Sequence, residues 1–357
     1  MLVARSAQGG DAAPLAGHTA SVSPDTSSET TPVLDVRGLS ISFRGREGIT
    51  HVTRDVSFTV APGERVGVVG ESGCGKSVTG LSLMGLLPER NAIIEGGIHF
   101  DGRNLRTMRP REIRAIRGRD ISMIFQEPMT ALDPVFTVGQ QLMETLRTHY
   151  PMPAAEARER SIEALKEVGI PSPERRMEEY PHQFSGGMRQ RVMIAMALIC
   201  KPKLIIADEP TAALVVTVQA QIIDLLKDLS ERTGAALLFI THDLGVIAET
   251  CSRMITMYAG EVVESAPVDD VLRRPGHPYT SGLLQSLPRL GHRGGRLPFI
   301  PGRVPSPGTM PEGCRFQQRC PHAGDGCDRY QPMVSIAPGR HARCRRALEL
   351  ELEGAVE

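Results

Sequence analysis

Short stretches of alternating apolar and polar residues follow one another in the chain after residue 32. VLDVRGLSISF, which starts at Val33, and DVSFTV, which starts at Asp55, both show the period of two that is typical of half-buried strands. After a turn at 61–63, the apolar run 65–70 leads into a glycine-rich loop and then into helical spacing. Residues 93–102 indicate another hairpin edge. The pattern predicts strands first and then a strand–loop–helix unit.

A helical period takes over in the middle of the chain. Residues from about 138 to 192 are rich in Ala, Glu, Arg and Leu, with prolines between the runs, which predicts a helical insertion. Beyond it, LIIAD (204–208) and ALLFITHD (236–243) each begin as a buried-type strand and end in polar residues, with a helical segment between them. This βαβ order predicts an α/β core on a parallel sheet.

Composition excludes several classes of function. Lys plus Arg equals Asp plus Glu at 41 each, so bulk charge gives no reason to expect a nucleic-acid partner. The longest apolar run, 192–200, has nine residues, about half of the roughly 18 needed to cross a bilayer. The N-terminus lacks the apolar stretch of a secretory signal, so we expect a cytosolic chain whose seven cysteines are reduced or metal-bound.

A phosphate-binding loop lies between the predicted strand and helix. GESGCGKS at 70–77 matches G-x-x-x-x-G-K-[ST] at every defined position and in the structural context that this motif requires. Backbone N–H groups and the helix N-terminus can bind phosphate oxygens, while Lys76 would reach the β- and γ-phosphates and Ser77 would ligate Mg²⁺. The expected nucleotide-binding residues here are Gly70, Ser72, Gly73, Gly75, Lys76, Ser77 and Val78.

Two adjacent carboxylates end the strand LIIAD. Ligands collect at the carboxyl ends of the strands in a parallel sheet, so Asp208 is placed to hold Mg²⁺. Glu209 could polarise an attacking water, because phosphoryl transfer needs mainly positioning and charge stabilisation from the protein. A solvated strand end is the usual alternative for a lone Asp-Glu pair, and the complete phosphate loop argues against it.

Five motifs in a fixed order resemble an ABC transporter ATPase subunit. They are the phosphate loop, Gln126 in MIFQEP, FSGGMRQR at 184–191, the strand with Asp208 and Glu209, and His242 in FITHD. Ser-Gly-Gly before a helix and 23 residues ahead of Asp208 is more specific than the phosphate loop alone. The resemblance covers about residues 33–345. It implies a P-loop NTPase core with an antiparallel β subdomain and a helical subdomain.

The resemblance also implies roles for individual residues. Ser185, Gly186 and Gly187 would close over ATP bound to an opposite subunit, so that hydrolysis needs a pair of ATPase chains. Gln126 would sense Mg²⁺ and the attacking water where a membrane subunit docks, and His242 would contact the γ-phosphate. The implied catalytic residues are Glu209, His242, Gln126 and Lys76, with Mg²⁺ held by Ser77, Gln126 and Asp208. Phe43 would stack on adenine, although an alternating strand accommodates a core phenylalanine equally well.

The chain departs from the family pattern at Val215. The family usually has aspartate at this position, after Ala-Leu, where its carboxylate touches the opposite subunit. Loss of that group removes at least one hydrogen bond from the interface, and an unsatisfied buried partner costs about 1–3 kcal/mol. We therefore expect slow ATP turnover, unless the partner subunit compensates for the valine.

Four of the seven cysteines lie near the C-terminus. Cys314, Cys320, Cys327 and Cys344 are spaced C-x5-C-x6-C-x16-C, and four thiolates can hold Zn²⁺ or an iron–sulfur cluster. The absence of C-x2-C pairs tilts the choice away from zinc, and free thiols are the third alternative. HPYTSGLLQSLP and PEGCRFQQRCP resemble the C-terminal extension of dipeptide/oligopeptide importer ATPases, and this resemblance implies a [4Fe–4S] cluster.

The sequence thus predicts a disordered tail at 1–32, an ABC ATPase domain at 33–287 with its helical subdomain at about 138–192, and a small cysteine-containing extension at 288–357. The resemblance implies ATP hydrolysis that drives peptide import at the cytoplasmic face of the cell membrane. Implied partners are two membrane-spanning permease subunits, a second ATPase subunit of different sequence and, indirectly, an extracytoplasmic solute-binding protein. A nickel or other solute importer, a soluble ABC-type ATPase and a non-hydrolysing regulatory subunit are the alternatives.

Overall fold

The structure is a computed structural model that describes residues 31–46, 48–127, 131–212, 214–287 and 298–355. The predicted disordered tail lies outside the described residues except for positions 31 and 32, as does the predicted boundary at 288. No helix in the described ranges is both long and apolar enough to serve as a membrane span.

The strands and helices that the sequence predicts are present in the predicted order, and further elements lie between and after them. The strands are β1 (Leu34–Gly45), β2 (Gly48–Val60), β3 (Arg65–Val69), β4 (Ala92–Phe100), β5 (Arg103–Asn104), β6 (Ile121–Ile124), β7 (Leu204–Asp208), β8 (Ala236–Ile240), β9 (Arg253–Tyr258), β10 (Glu261–Pro267), β11 (Val334–Ala337) and β12 (Arg340–Ala342). The helices are α1 (Lys76–Leu83), α2 (Pro110–Ile116), α3 (Val138–His149), α4 (Ala154–Glu167), α5 (Pro173–Arg176), α6 (Gly186–Leu198), α7 (Val216–Thr233), α8 (Leu244–Thr250), α9 (Val268–Arg273) and α10 (Pro278–Gln285).

The first sheet is antiparallel, with the strand order β2-β1-β4-β5. Its strands are longer than the alternating runs suggest, because β1 and β2 continue as a hairpin to the turn near residue 46. The two-residue connection Asp101–Gly102 joins β4 to β5, as the sequence predicts. An antiparallel subdomain therefore precedes and flanks the α/β core.

The second sheet contains the parallel core, in which β9, β3, β8, β7 and β6 are neighbours. β10, β12 and β11 continue this sheet from β9, and each of them pairs with the strand before it in an antiparallel manner. Successive residues of β7 belong to different apolar clusters: Ile205 packs with the helices of one face and Ile206 with the antiparallel sheet on the other. Both faces of the parallel sheet are covered, which explains why its strands are continuously apolar.

Helices occupy the segment that the sequence predicts as a helical insertion. α3, α4 and α6 pack against one another through Leu142, Leu165 and Val192, all of which are fully buried. Thr137 and Gln140 form a capping box at the start of α3, since each side chain accepts a backbone N–H of the other residue. This cap fixes the point at which the chain enters the helical region.

The C-terminal extension is joined to the core through strand pairing. β12 pairs with β10 and β11 pairs with β12, so two strands beyond residue 330 extend the main sheet. Glu264 of β10 is buried, and its carboxylate oxygens accept the N–H groups of Gly276 and His277 at 2.5 and 3.0 Å. Burial raises the pKa of Glu264 to about 7, in spite of these hydrogen bonds.

Candidate functional site

Four parallel strands deliver polar residues to one edge of the sheet. β3 ends in the phosphate loop, β6 leads to Gln126, β7 ends in Asp208 and Glu209, and β8 leads to His242. Because β3, β8, β7 and β6 are adjacent and parallel, their carboxyl ends meet at this edge. The fold therefore brings together four motifs that lie up to 172 residues apart, from Gly70 to His242.

The phosphate loop is shaped by close backbone approaches. Gly70 has φ of 155°, and a Cβ atom there would lie 2.1 Å from the carbonyl oxygen of Met257, so only glycine fits. Gly75, at φ of 97°, forms the N-cap of α1. The buried Lys76 ammonium donates to the carbonyls of Gly70 and Glu71 at 2.8 and 3.2 Å. The loop thus surrounds its lysine, while its two remaining predicted residues, Ser72 and Gly73, are exposed.

The hydroxyl of Ser77 meets the carboxylate of Asp208. Ser77 Oγ donates to Asp208 Oδ1 at 3.0 Å, and the Asp208 side chain is buried. Burial raises the pKa of Asp208, and Glu209 next to it raises it further, against the opposing effects of Ser77 and Lys76. A cation between Ser77 and Asp208 would relieve this unfavourable burial. The oxygen donors and the local charge fit Mg²⁺.

Glu209 holds two further predicted residues. Gln126 Nε2 donates to Glu209 Oε2 at 3.2 Å, and His242 Nδ1 lies 3.2 Å from Glu209 Oε1. The backbone of Glu209 has φ of 44°, a conformation rare for a residue with a side chain, and its N–H donates to the carbonyl of Ile240 at 2.8 Å. This turn directs the carboxylate towards Gln126 and His242, both of which are exposed to solvent.

The Ser-Gly-Gly segment begins a helix on the surface. Ser185 is the N-cap of α6, and its Oγ accepts the N–H of Met188 at 3.3 Å. A Cβ atom on Gly186 would meet nothing within 4 Å, whereas one on Gly187 would lie 2.9 Å from Val218 Cγ1. Ser185 and Gly186 are exposed, so a second molecule can reach this helix N-terminus.

Two predicted nucleotide-binding residues lie at the border of the apolar core. Phe43 on β1 and Val78 on α1 are both partly buried against the cluster that joins the two sheets. Partial burial against this cluster is what the alternative interpretation of Phe43, as a core phenylalanine, predicts. Its stacking on adenine stays a prediction.

Val215 occupies the N-cap position of α7 but does not cap the helix. It is the N-cap of an 18-residue helix, makes no side-chain capping hydrogen bond and is 72% exposed. Aspartate at this position would accept backbone N–H groups of the helix, which valine cannot do. Residue 213 in the same loop lies outside the described residues.

The four C-terminal cysteines are grouped but do not form a single-ion site. All four are partly buried, and the backbone N–H of Cys314 donates to the carbonyl of Cys327 at 2.8 Å. Burial, with smaller contributions from the other three thiols, raises the pKa of Cys314 to about 12. In the part of the chain that the structure describes, no three His, Cys, Asp or Glu side chains converge on one metal position. The zinc expectation and the cluster expectation therefore lack support from the donor geometry.

The other three cysteines are buried and separate from this group. Cys74 lies within the phosphate loop, and burial raises its pKa. Burial also raises the pKa of Cys200 to about 11 and that of Cys251 to about 12. Protonated thiols in apolar surroundings act as core residues.

Sequence reasoning did not identify the contacts made by Glu71. The backbone N–H of this phosphate-loop residue donates to the Tyr279 hydroxyl at 2.9 Å, and its carboxylate pairs with Arg319. Both partners lie more than 200 residues further along the chain. The signal in the sequence that could have pointed to these contacts was Glu71 itself, a negatively charged side chain inside a motif that binds anions.

Comparisons with known proteins agree on one family. Residues 53–212 match the ABC transporter family model, and residues 263–327 match the model for the C-terminal region of oligopeptide/dipeptide transporters. A probable peptide ABC transporter ATP-binding protein of Sinorhizobium fredii is 53% identical over 321 residues, which cover 89% of this chain and 96% of that protein. The oligopeptide transport ATP-binding protein OppD of Salmonella typhimurium is 48% identical, with 89% and 94% covered.

Solved structures show the same fold. A dimeric ATP-binding cassette in a post-hydrolysis state, bound to ADP and Pi, aligns with a TM-score of 0.59 and 30% identity, covering 66% of this chain and 98% of that one. CbiO1 from Clostridium perfringens, part of an ABC transporter complex, aligns with a TM-score of 0.56 and 28% identity over 67% and 90% of the two chains. By sequence and by fold, the chain belongs to the ATP-binding subunits of ABC transporters, in the branch that carries the oligopeptide/dipeptide transporter C-terminal region.

Proposed function

We propose that this chain binds and hydrolyses MgATP and thereby drives the import of dipeptides or oligopeptides through membrane permease subunits. The observation that carries the proposal is the meeting of Ser77 with Asp208, and of Gln126 and His242 with Glu209, at one edge of the parallel sheet. The peptide as cargo is supported by the match of residues 263–327 and by the names of the relatives.

In the proposed reaction, the phosphate loop and Lys76 bind the β- and γ-phosphates of ATP. Glu209 orients a water molecule and accepts one of its protons while the water oxygen attacks the γ-phosphorus. The bond from that phosphorus to the β–γ bridging oxygen breaks, which gives ADP and inorganic phosphate. Gln126 and His242 keep the Glu209 carboxylate aimed at the water, and His242 is exposed enough to reach the γ-phosphate.

Ser77 and Asp208 would hold the magnesium ion. Gln126, which lies beside Glu209 at the same edge of the sheet, would be its third protein ligand. When bound, Mg²⁺ neutralises charge on the β- and γ-phosphate oxygens. The Ser77 hydroxyl donates to Asp208 Oδ1 at 3.0 Å, which places both oxygen ligands within reach of one ion. The two residues therefore need little rearrangement to take up the ion.

A complete site requires a second ATPase chain. Ser185, Gly186 and Gly187 present a helix N-terminus whose backbone N–H groups suit a phosphate anion. We assign this surface to ATP bound on a companion subunit of different sequence, which would in turn close over the phosphate loop of this chain. The 33–287 domain is the unit that forms this pair in our proposal.

Exposed apolar side chains offer a surface for the permeases. Val135 and Phe136, which are 69% and 47% exposed, precede α3, and Tyr180 is 40% exposed. The backbone hydrogen bond from Val138 to Glu179 holds the two segments together. Docking of a permease segment here would hold the chain at the cytoplasmic face of the membrane. The solute-binding protein then acts only from the other side.

The cargo is tested by assembling the chain with its two permeases and companion ATPase in liposomes that contain the solute-binding protein. We expect di- or oligopeptides to stimulate ATP hydrolysis and to be transported. Ni²⁺ is the control cargo for the alternative importer. Transport of Ni²⁺ without any response to peptides would contradict peptide import but leave ATP hydrolysis intact.

For the C-terminal cysteines, we propose a [4Fe–4S] cluster in the extension 288–357. Each thiolate of such a cluster binds a different iron, so its four ligands are spaced more widely than those of one ion. The backbone hydrogen bond from Cys314 to the carbonyl of Cys327 at 2.8 Å shows that two of the proposed ligands lie side by side. We expect anaerobically purified protein to contain iron and acid-labile sulfide with broad visible absorbance, and Cys320→Ser to lose them. Stoichiometric zinc or four freely titratable thiols would contradict the cluster.

Val215→Asp is expected to increase ATP turnover of the assembled complex severalfold. The carboxylate would restore a charge-assisted hydrogen bond to the companion subunit. It would also cap α7, which stabilises a helix by about 1 kcal/mol. Val215→Asn is the matched control, because asparagine caps as well as aspartate but has no charge. Both variants should unfold at a higher temperature than the wild type, and only Val215→Asp should hydrolyse ATP faster than the wild type. An unchanged or lower rate for Val215→Asp means that Val215 does not slow the enzyme.

A further inference from the structure

One short segment of the C-terminal extension, 314–320, packs directly beneath the phosphate loop. It runs from Cys314 to Cys320, and three of its side chains pack against the phosphate loop or the residues next to it. They are Arg315, Phe316 and Arg319, each less than a tenth exposed. The segment therefore connects two regions that the proposed mechanism treats separately.

Arg319 makes a two-point contact with Glu71. Its Nη1 and Nη2 donate to Glu71 Oε2 and Oε1 at 2.8 and 3.0 Å, a parallel pairing that fixes both position and direction. The Arg319 side chain is only 6% exposed, against 28% for Glu71. The Arg319 Nε also donates to the carbonyl of Pro301 at 2.9 Å. Arg319 is thus anchored in the extension and holds a residue of the phosphate loop.

Glu71 is tied to the nucleotide-binding lysine through its backbone. The carbonyl of Glu71 accepts from Lys76 Nζ at 3.2 Å, and its N–H donates to the Tyr279 hydroxyl at 2.9 Å. A shift of Glu71 would therefore disturb both its contact with Lys76 and its contact with Tyr279. Through Glu71, Arg319 therefore influences the position of the atoms that bind phosphate.

Aromatic packing also holds the segment 314–320 against the residues around the phosphate loop. Tyr258, Tyr279 and Phe316 form a cluster with ring centroids 4.6–5.4 Å apart. Arg315 donates to the carbonyl of Ala259, in the turn after Tyr258, and the next residue in that turn, Gly260, donates to the carbonyl of Cys74 at 3.0 Å. The segment 314–320 thus contacts the phosphate loop and also the hairpin that supports it.

We propose that Arg319 is a positioning residue for ATP: by holding Glu71 it keeps the phosphate loop in its binding conformation and makes nucleotide affinity depend on the segment between Cys314 and Cys320. The proposal rests on ATP binding by this loop, which belongs to the proposed function. If the loop adopts its binding conformation for only a tenth of the time, apparent affinity falls tenfold.

The test is ATP affinity of the purified full-length chain, measured by calorimetry. Arg319→Gln is expected to raise the Kd for ATP about tenfold, since glutamine cannot pair with both carboxylate oxygens. Glu71→Gln is expected to act similarly, and the double variant should be no worse than either single variant, because both remove one interaction. In the assembled complex, Arg319→Gln should raise KM for ATP with kcat within about twofold. A merely structural defect would instead reduce the active fraction and hence kcat.

Arg346→Gln is the matched control. Arg346 lies two residues from Cys344 and pairs with Glu349 within the extension, so its loss should leave the Kd within about twofold. If Arg319→Gln does not fold, Arg319→Lys and Glu71→Gln carry the same test. Wild-type affinity in these variants, or fully additive effects in the double variant, would overturn the proposal. Wild-type protein that binds no ATP would instead overturn the proposed function.

Discussion

Glu209→Gln is expected to slow ATP hydrolysis at this chain's phosphate loop by at least about 100-fold while ATP still binds. Glutamine is nearly isosteric and can keep the hydrogen bonds to Gln126 and His242, which now lie 3.2 Å from the two carboxylate oxygens. It cannot accept the proton of the attacking water. The measurements are ATP turnover of the assembled complex and equilibrium ATP binding to the full-length chain.

Glu249→Gln serves as the control for this change. Glu249 is an exposed carboxylate on α8, so its replacement alters the net charge equally without touching the site. Its turnover should equal that of the wild type. If Glu209→Gln leaves turnover at this loop intact, Glu209 is not the residue that orients the water, and the remaining activity must come from another group.

Gly186→Glu is expected to abolish hydrolysis at the companion subunit while this chain keeps its fold and its ATP affinity. Nothing lies within 4 Å of a Cβ atom at Gly186, and a carboxylate suits the first turn of α6. In the closed pair, however, the new charge would face the γ-phosphate on the companion. Two unit charges about 4 Å apart repel by about 4 kcal/mol near a protein surface, enough for at least a 100-fold loss.

The sharpest measurement adds Gly186→Glu to the Glu209→Gln background. Glu209→Gln silences this chain's own loop, so the remaining turnover reports the companion's site, and Gly186→Glu should remove it. Gly308→Glu is the control, because Gly308 is also exposed with open space around its Cβ position. Undiminished turnover in the double variant would show that α6 does not close over the companion's nucleotide.

The parallel core and the edge at which its motifs meet could be predicted from sequence because each depends on local patterns. A five-residue apolar strand followed by a glycine-rich loop gives β3 and α1, and LIIAD followed by Glu209 gives β7 and its carboxylates. Parallel pairing then brings the end of β8, and with it His242, to the edge that carries Glu209. Gln126 and the role of His242 were implied by the family resemblance, because the short strand β6 gave no recognisable pattern. The alternation in β1 and β2 predicted these two strands in the same way, whereas their place in an antiparallel subdomain was implied by the family resemblance.

Contacts that join distant segments could not be predicted in this way. Arg319 and Glu71 are 248 residues apart, and neither residue type nor spacing connects them. The two strands β11 and β12 are four and three residues long, too short for a period of two to be recognised. Val215 was noticed only as a departure from a family pattern, and its role as an uncapped helix start required the coordinates.

The strand pairing at the C-terminus bears on how this protein can be shortened. β12 covers the backbone of β10 through Glu264 and Ser265, which would otherwise be the open edge of the sheet. A chain cut before Val334 would leave that edge free to pair with other molecules, a known route to aggregation. Trimming to a minimal nucleotide-binding fragment is therefore a choice with a solubility cost, and a shortened chain should keep both strands and Cys344, the last of the proposed cluster ligands.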